Sequence, residues 1–296
     1  MSSEKSDTAT QFLDGAIQHH EIDDATFAVR EFGHGPPLLF IHGYPLHGYT
    51  WRKLVAGLDK DYTCIVVDLP GLGDSDWTAK TDFSFTAQAK RLSGLMEKLD
   101  LQDCAVIAHD TGATIARMLT LQAQERISKL AIINTEIPHH RPPWIQFYQF
   151  CTKLPLHKPI FRFLLSQNWF IKTPMGLNQL YSNKEMLDEP ANTEPYLKPL
   201  LNSPRRLEGM LGYLKGIDWD AVDSMAREHK NIQADVLFLW GEDDKTFPVE
   251  LAEPMVKQFN GNCESHRIAN ASLLPHEEQP QMVLQSLRPF LLSVNA

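Results

Sequence analysis

The six residues AHDTGA, at positions 108–113, set one aspartate among small residues at the junction of two patterns. An apolar run, CAVIAHD, leads into the aspartate, and the segment GATIARMLTLQAQ after it has helical spacing. Small residues on both sides let a strand and a helix pack closely around a strained turn, which projects the central side chain outward. Asp110 is therefore a candidate nucleophile, although an aspartate here could also serve only as a helix N-cap.

Further apolar runs alternate with helical patterns along the chain. Continuous apolar runs are typical of strands buried on both faces, as in a parallel sheet covered by helices. Such runs occupy residues 37–43, 63–71, 104–110, 130–134 and 236–244, and an alternating run precedes them at 26–32. Helical spacing separates several of these runs, for example at 84–99. The alternation predicts an α/β fold with a mostly parallel central sheet flanked by helices.

The alternation stops between residues 137 and 230, where aromatic and helical patterns continue without a strong strand. We expect this block to be a helical cap inserted over the carboxyl ends of the strands, where open α/β sheets bind ligands. A separate helical domain with another role is the alternative. The predicted division is a lead-in (1–24), a first part of the core (25–136), the cap or lid (137–230) and a second part of the core (231–296).

The composition excludes some classes of partner. The 296 residues include 28 Lys and Arg against 37 Asp and Glu, a formal net charge of −9, whereas nucleic-acid binding needs clustered positive charge. The four cysteines lie far apart without a CxxC pair, so we expect reduced thiols. Since neither a hydrophobic leader nor a bilayer-length apolar stretch is present, we expect a cytoplasmic protein without a membrane partner. The oligomeric state stays open.

Four polar turns follow predicted strands. They are HGYP (42–45), AHDTG (108–112), GEDD (241–244) and, after a further candidate strand, SLLPHEEQP (272–280). Active sites of open α/β sheets lie at the carboxyl ends of the strands, so these turns are expected to meet at one site. The sequence has no HExxH or comparable spacing of metal ligands, and we expect no metal.

Together with DLPGLGDSD (68–76), these turns resemble the motifs of the α/β-hydrolase superfamily. More narrowly, they resemble its aspartate-nucleophile branch, which contains haloalkane dehalogenases, haloacetate dehalogenases and epoxide hydrolases. The resemblance runs from about residue 25 to the end of the chain. It implies an α/β-hydrolase fold with an inserted helical cap, a hydrolase activity that needs no cofactor, and a small apolar substrate.

The chemistry explains why an aspartate stands in the elbow. A carboxylate is ionised at neutral pH and can displace a leaving group from a saturated carbon, which forms an alkyl-enzyme ester. Water then attacks the carbonyl of that ester with the help of a general base, and backbone N–H groups stabilise the oxyanion. The resemblance assigns those N–H groups to Tyr44 and Thr111.

The substrate class depends on what stabilises the leaving group. Haloacetate dehalogenases carry arginines at the positions of Thr111 and Thr114, so a carboxylate substrate is not expected here. Phenols in the cap would protonate an epoxide oxygen, and the resemblance points to Tyr213, with Tyr148 as its candidate partner. His139, His140 and Tyr181 are weaker candidates for that partner. Alternatively, the indole N–H groups of Trp144 and Trp169 would bind a halide. We favour an epoxide over a halogenated alkane.

The base departs from the pattern of the branch. Leu273 stands where the resemblance expects the catalytic histidine, so His276 is the candidate base, with His266 as a remote option. Its acid partner would be Asp244 or, less favoured, Glu136. Without a base the ester would form but not hydrolyse. The second hypothesis is therefore a non-catalytic ligand-binding protein on the same fold.

Overall fold

In the computed structural model, which describes residues 2–293, nine strands form one sheet in the order β1-β2-β4-β3-β6-β7-β8-β9, with β5 beside β2. The strands are β1 Ile17–Ile22, β2 Ala25–Gly33, β3 Pro37–Ile41, β4 Thr63–Asp68, β5 Asp76–Trp77, β6 Cys104–His109, β7 Ile127–Ile133, β8 Asp235–Gly241 and β9 Cys263–Ile268. Strands β3, β4 and β6 to β9 pair in parallel, while β1, β2 and β5 pair antiparallel. The predicted mostly parallel sheet is confirmed.

The central strands are apolar throughout because both faces of the sheet are buried. On one face the side chains of Leu39 and Val106 pack with α3 and α4, and on the other Phe40 and Ile107 pack with α2 and α13. The α-helices are α1 Ser2–Leu13, α2 Arg52–Leu58, α3 Phe85–Lys98, α4 Thr111–Gln122, α5 Pro143–Cys151, α6 His157–Leu165, α7 Asn168–Ile171, α8 Pro190–Asn202, α9 Pro204–Gly216, α10 Trp219–Glu228, α11 Val249–Ala252, α12 Pro275–Glu278 and α13 Pro280–Leu292. Helices therefore flank the sheet on both sides, as the apolar runs predict.

The segment between β7 and β8, residues 134–234, is called the insertion below. Its regular elements in the structure are the helices α5 to α10 and three short 3-10 helices, Asn178–Leu180, Lys184–Asp188 and His229–Asn231. Two more 3-10 helices, Gly48–Trp51 and Glu253–Gln258, lie outside it. The insertion contains the helical pattern seen in the sequence; the exact boundaries of a cap remain a prediction.

The beginning of the chain has more structure than the lead-in assigned to residues 1–24. Helix α1 and strand β1 both lie within it, and Phe12 of α1 is 2% exposed. Strand β1 pairs only with β2 and its side chains are largely exposed, so it carries no apolar pattern that would have revealed it. Among the described residues, no helix is both long and apolar enough to span a membrane.

A buried ion pair links the first and second parts of the core, and a residue of the insertion binds the same carboxylate. Arg52 Nη1 donates to Glu277 Oε1 over 2.6 Å, and both side chains are almost fully buried. The hydroxyls of Thr50 and, from α8, Tyr196 donate to the same carboxylate oxygen. The Arg52 and Lys53 charges and these hydrogen bonds overcome the cost of burial and lower the pKa of Glu277. The turn that carries the HEEQP motif is thereby locked against α2.

We predict that Arg52→Met lowers the free energy of unfolding by about 3 kcal/mol, because it removes the closer of the two cations that neutralise the buried Glu277 carboxylate and leaves Lys53 at 3.4 Å. The matched control is Arg288→Met, which removes an ion pair to Asp61 whose side chains are 45% and 59% exposed and should cost less than about 1 kcal/mol. Urea unfolding of both variants provides the measurement. Equal losses would show that the Arg52 pair contributes no more than a surface pair.

Candidate active site

Asp110 lies in a strained turn between β6 and α4. Its φ of +52° and ψ of −130° place a non-glycine residue in a region that L-residues rarely adopt. Two hydrogen bonds from the segment after β7 hold the backbone of this turn. The Asp110 N–H donates to Asn134 O over 2.7 Å, and the Thr135 hydroxyl donates to Asp110 O over 3.0 Å. The Asp110 side chain makes no capping hydrogen bond to α4, so the geometry is that of an elbow rather than an N-cap.

Two glycines let the elbow pack against the neighbouring turn. A Cβ on Gly112 would lie 2.2 Å from the carbonyl oxygen of His42, and one on Gly43 would lie 2.4 Å from Asp110 Cβ. Neither position can carry a larger side chain without moving backbone or the aspartate. The small residues of the motif therefore serve the close approach of β3 and α4.

Backbone N–H groups converge on the Asp110 carboxylate. The Tyr44 N–H donates to Asp110 Oδ2 over 2.9 Å, and the Thr111 N–H lies close enough to this carboxylate to oppose the rise of its pKa. Both are the groups that the resemblance assigns to the oxyanion site. The carboxylate is thus oriented before any ligand binds, and the same donors face the position where charge would develop on an ester of Asp110.

Asp110 and Thr111 line an apolar cavity of about 150 Å³ between the sheet and the insertion. Two phenols, Tyr44 and Tyr148, also line it. Most of the remaining lining is apolar and comes from the insertion, including Trp144, Ile145, Phe161, Leu165, Phe170 and Leu214. The cavity is therefore suited to a small, largely apolar molecule with a few polar groups at one end.

A second carboxylate, Glu136, lines the same cavity and is almost fully buried. Its Oε2 accepts hydrogen bonds from the hydroxyls of Thr114 at 2.5 Å and Thr135 at 3.2 Å. Burial raises the pKa of Glu136, although these hydrogen bonds and the Arg117 charge oppose the shift. Burial and the neighbouring Glu136 charge likewise raise the pKa of Asp110, against the effect of the N–H groups of Thr111 and Tyr44. The two carboxylates therefore do not ionise independently.

Arg117 is a buried cation that binds the groups around Glu136. Its guanidinium is fully buried and donates to Thr114 Oγ1, Thr135 Oγ1 and the backbone carbonyl of Glu136. Desolvation lowers the pKa of Arg117 to about 10, so it remains a cation at neutral pH. It thereby holds the hydroxyls that orient Glu136.

Asp244 is buried at the end of β8 but binds no histidine among the described residues. Its Oδ2 accepts from the Asn134 amide over 2.6 Å, and its Oδ1 accepts from the backbone N–H groups of Thr246 and Phe247. Burial raises the pKa of Asp244 to about 7. Asp244 does not line the cavity that holds Asp110, whereas Thr246, two residues further along the chain, does. Asp244 therefore fixes the turn after β8, and the geometry gives it no base to orient.

The structure does not bring His276 to Asp110. The His276 ring is fully buried, stacks on Trp51 with centroids 4.6 Å apart, and places Nε2 2.7 Å from Thr50 Oγ1. Desolvation, with the charges of Lys53 and Arg52, lowers the pKa of His276 well below its usual value. Leu273 lines the cavity instead. The packing thus does not support His276 as the base, since the locked HEEQP turn directs it away from the cavity.

His266 is no substitute for His276. It lies on β9 with its side chain 42% exposed, and its ring contacts Glu264 at 3.6 Å. Glu136, proposed from the sequence as an alternative acid partner, also binds no histidine among the described residues. The predicted acid-histidine pair is therefore not formed by any of its candidates.

Of the three residues predicted to bind the leaving group, two line the cavity and one does not. Tyr213 is fully buried, donates to Thr111 Oγ1 over 3.1 Å and stacks behind Tyr44, so it is absent from the cavity lining. The prediction that Tyr213 contacts the leaving group is thus not supported. Tyr148 and Trp144 do line the cavity, and the Tyr148 hydroxyl donates to the carbonyl of Met175.

The weaker candidates for this role are engaged or lie elsewhere. His140 Nε2 lies 2.9 Å from the carbonyl oxygen of Thr246, His139 contacts Asp223, and Trp169 is 62% exposed. Tyr181 is buried beside Asn192. None of them lines the cavity that holds Asp110.

The sequence analysis missed the side chain of Tyr44. Only its backbone N–H was assigned a role, yet its phenol lines the cavity. Burial, with the neighbouring Tyr148 and the Asp110 charge, raises the pKa of Tyr44, so the phenol stays protonated and can donate. The signal in the sequence was the aromatic residue directly after His42 and Gly43 in the HGYP turn, since that turn was expected to reach the site. Among the side chains that the structure describes, no three His, Cys, Asp or Glu residues converge as metal ligands would.

Comparisons with known proteins place the chain among hydrolases. The model of the α/β-hydrolase fold family matches residues 36–156. An epoxide hydrolase 2 from Caenorhabditis elegans is 26% identical over 270 residues, which cover 87% of this chain and 74% of that protein. A haloalkane dehalogenase from Mesorhizobium japonicum is 26% identical over 221 residues, which cover 71% and 69%.

Among solved structures, a thermophilic esterase from Thermogutta terrifontis superposes with a TM-score of 0.76 at 23% identity, covering 94% of this chain and 100% of that one. This likeness shows the fold alone. Together with the sheet order and the elbow at Asp110, the matches support a hydrolase of this fold. The fold is that of the α/β hydrolases, as the family model and the solved structures both indicate.

Proposed function

We propose that this protein is a hydrolase that uses Asp110 as a nucleophile toward small apolar epoxides. The observation that carries the proposal is the oriented Asp110 carboxylate in an apolar cavity that two phenols also line. Relatives named as epoxide hydrolases, which are 22–26% identical to this chain, are consistent with that substrate class.

In the first step an Asp110 oxygen attacks an epoxide carbon and the carbon–oxygen bond of the ring breaks. The released alkoxide takes a proton from a phenol, which leaves a hydroxyalkyl ester on Asp110. Tyr44 is the favoured donor, because no hydrogen bond engages its hydroxyl within the part of the chain that the structure describes. Tyr148 is the alternative donor, but its hydroxyl would first have to break its hydrogen bond to the carbonyl of Met175.

In the second step water attacks the ester carbonyl, and the N–H groups of Tyr44 and Thr111 stabilise the oxyanion. A base must accept the proton of that water. Leu273 cannot, and we assign the role to Glu136, which lines the cavity with Asp110. Its raised pKa makes it a stronger proton acceptor than an ordinary carboxylate. The carbon–oxygen bond of the ester then breaks, and the departing alkoxide takes the proton held by Glu136, which releases the diol. The proton left on the Asp110 carboxyl returns to the phenolate, which restores all three residues.

The alternative function is hydrolysis of a carbon–halogen bond through the same nucleophile. One observation favours it: Trp144 lines the cavity, and no hydrogen bond engages its indole N–H among the described residues, so it could bind a halide. The relative named as a haloalkane dehalogenase is consistent with this reading. If Glu136 does not act as a base, the protein is instead a scaffold that is trapped by its ligand.

We predict that Glu136→Gln reduces steady-state turnover of a small epoxide by at least about 100-fold while an adduct of substrate mass accumulates on Asp110. The amide cannot accept the proton of the attacking water, but Asp110 is still free to be alkylated. Intact-protein mass and product are followed in the same samples. Asp110→Asn should give neither adduct nor product.

The matched control is Glu242→Gln, which removes an exposed carboxylate after β8 and should leave turnover unchanged. A lasting adduct on the natural protein would show that no base serves the second step. Normal turnover by Glu136→Gln would remove Glu136 from the mechanism and leave Asp110 as nucleophile untouched.

We predict that Tyr44→Phe slows adduct formation from epoxides by about 10- to 100-fold, because the alkoxide loses its proton donor. Its rate with a haloalkane should change less than about threefold, since a halide leaves without a proton. Trp144→Phe should show the opposite selectivity. Single-turnover adduct formation measures both, and equal losses with both substrate types would mean that Tyr44 acts only by packing.

We predict that the rate of Asp110 alkylation rises with pH across a range above the usual carboxyl pKa of about 4. Only the ionised carboxylate attacks, and burial together with Glu136 raises the pKa of Asp110. Glu136→Gln removes the neighbouring negative charge, so the rise should move to lower pH. Single-turnover rates against pH test this; an unmoved profile would show that the two carboxylates are not coupled.

A further inference from the structure

The outer side of the insertion exposes large apolar side chains. Of the twelve large hydrophobic residues that are exposed among the described residues, eight lie between positions 147 and 175. They are Phe147, Phe150, Leu154, Leu156, Ile160, Phe163, Trp169 and Met175, and we call them the outer patch. Surfaces of monomeric proteins rarely concentrate apolar residues in this way unless they bind something.

The outer patch belongs to one packed group of helices. The rings of Tyr148 on α5 and Phe161 on α6 pack at 6.0 Å, and the Tyr148 hydroxyl donates to Met175 O in the segment that follows α7. Helices α6 and α7 also contact each other. Other side chains of these helices, such as Phe161 and Leu165, line the cavity above Asp110, and Met175 belongs to both the outer patch and the cavity lining, so the two surfaces are neighbours.

The sequence segment that carries the outer patch has charges of one sign. Residues 137–184 contain six Lys or Arg residues and no Asp or Glu, although the chain as a whole has a net charge of −9. Lys153 and Arg162 are exposed next to patch residues and form no ion pair among the described residues. Lys158 pairs with Glu208, and Lys172 pairs with Asp188. All four side chains are exposed to solvent, so these ion pairs are weak.

We propose that the outer patch docks on a lipid bilayer surface that carries anionic headgroups. Exposed Trp, Phe and Leu side chains beside Lys and Arg are the combination that binds a bilayer interface, where rings enter the headgroup region and cations meet lipid phosphates. The six Lys and Arg residues of positions 137–184, with no acidic residue among them, favour an anionic lipid surface as the occupant. The expectation that the chain has no membrane partner rested on the absence of a leader and of a bilayer-length apolar stretch, which bear on insertion into a bilayer and not on docking at its surface.

The proposal does not depend on the reaction at Asp110. If that reaction is also as proposed, the bilayer would lie beside the apolar wall of the cavity, which Phe161, Leu165 and Phe170 build from the same helices. An apolar substrate dissolved in lipid would then be concentrated next to the site. The binding experiment below contains no substrate, so its outcome is separate from that of the catalytic tests.

The test is sedimentation of the full chain with vesicles of phosphatidylcholine alone or mixed with phosphatidylglycerol. We expect binding to the mixed vesicles, with roughly tenfold weaker partitioning for Phe163→Ser and Trp169→Ser. The matched control is Leu251→Ser, which removes an exposed leucine (47% exposed) outside the outer patch and should bind as the natural chain does. Circular dichroism checks that each variant is folded.

Charge is tested with Arg162→Gln combined with Lys153→Gln. This variant should lose most of the preference for phosphatidylglycerol and should keep its melting temperature. Absence of binding to either vesicle would overturn the proposal, as would equal loss in Leu251→Ser and Phe163→Ser. A concentration-dependent dimer that Phe163→Ser dissociates, without vesicle binding, would also overturn it and identify the outer patch as an interface between copies of the chain.

Discussion

The site depends on one strained residue, because Asp110 occupies backbone angles that a non-glycine residue holds only when its surroundings impose them. Hydrogen bonds to Asn134 and Thr135 fix it from the side of β7, and Gly43 and Gly112 leave space for it against the turn after β3. This geometry presents the carboxylate to the N–H groups of Tyr44 and Thr111. The parallel strands bring all of these turns to one edge of the sheet.

The absence of a histidine in the cavity lining gives the site its unusual electrostatics. With Leu273 in the lining, the Asp110 carboxylate shares the cavity with a second carboxylate, Glu136, and each carboxylate disfavours ionisation of the other. Arg117, buried beneath them, supplies positive charge without reaching the cavity lining. In the proposed mechanism Asp110 must be ionised to attack and Glu136 must be ionised to accept a proton from water, so pH would control both the attack and the hydrolysis.

The insertion presents two different surfaces. Its inner side supplies apolar lining and a phenol to the cavity, while its outer side carries exposed aromatic and basic residues. A helix places residues three and four positions apart on one face, so a short helix can serve both surfaces at once. In α6, Phe161 faces the cavity while Ile160 and Phe163 are exposed, which links substrate access to the proposed docking surface.

Local signals in the sequence were enough to predict the sheet and the tight turn at Asp110, because apolar runs mark buried strands and small residues mark a close approach of strand and helix. Which side chains share the cavity with Asp110 depended on the tertiary structure. His276 turns toward Trp51, Tyr213 packs behind Tyr44, and Glu136 lines the cavity, because ion pairs and packing between distant segments set their directions. Spacing along a chain identifies the turn that carries a side chain, but only the packed neighbours determine where that side chain points.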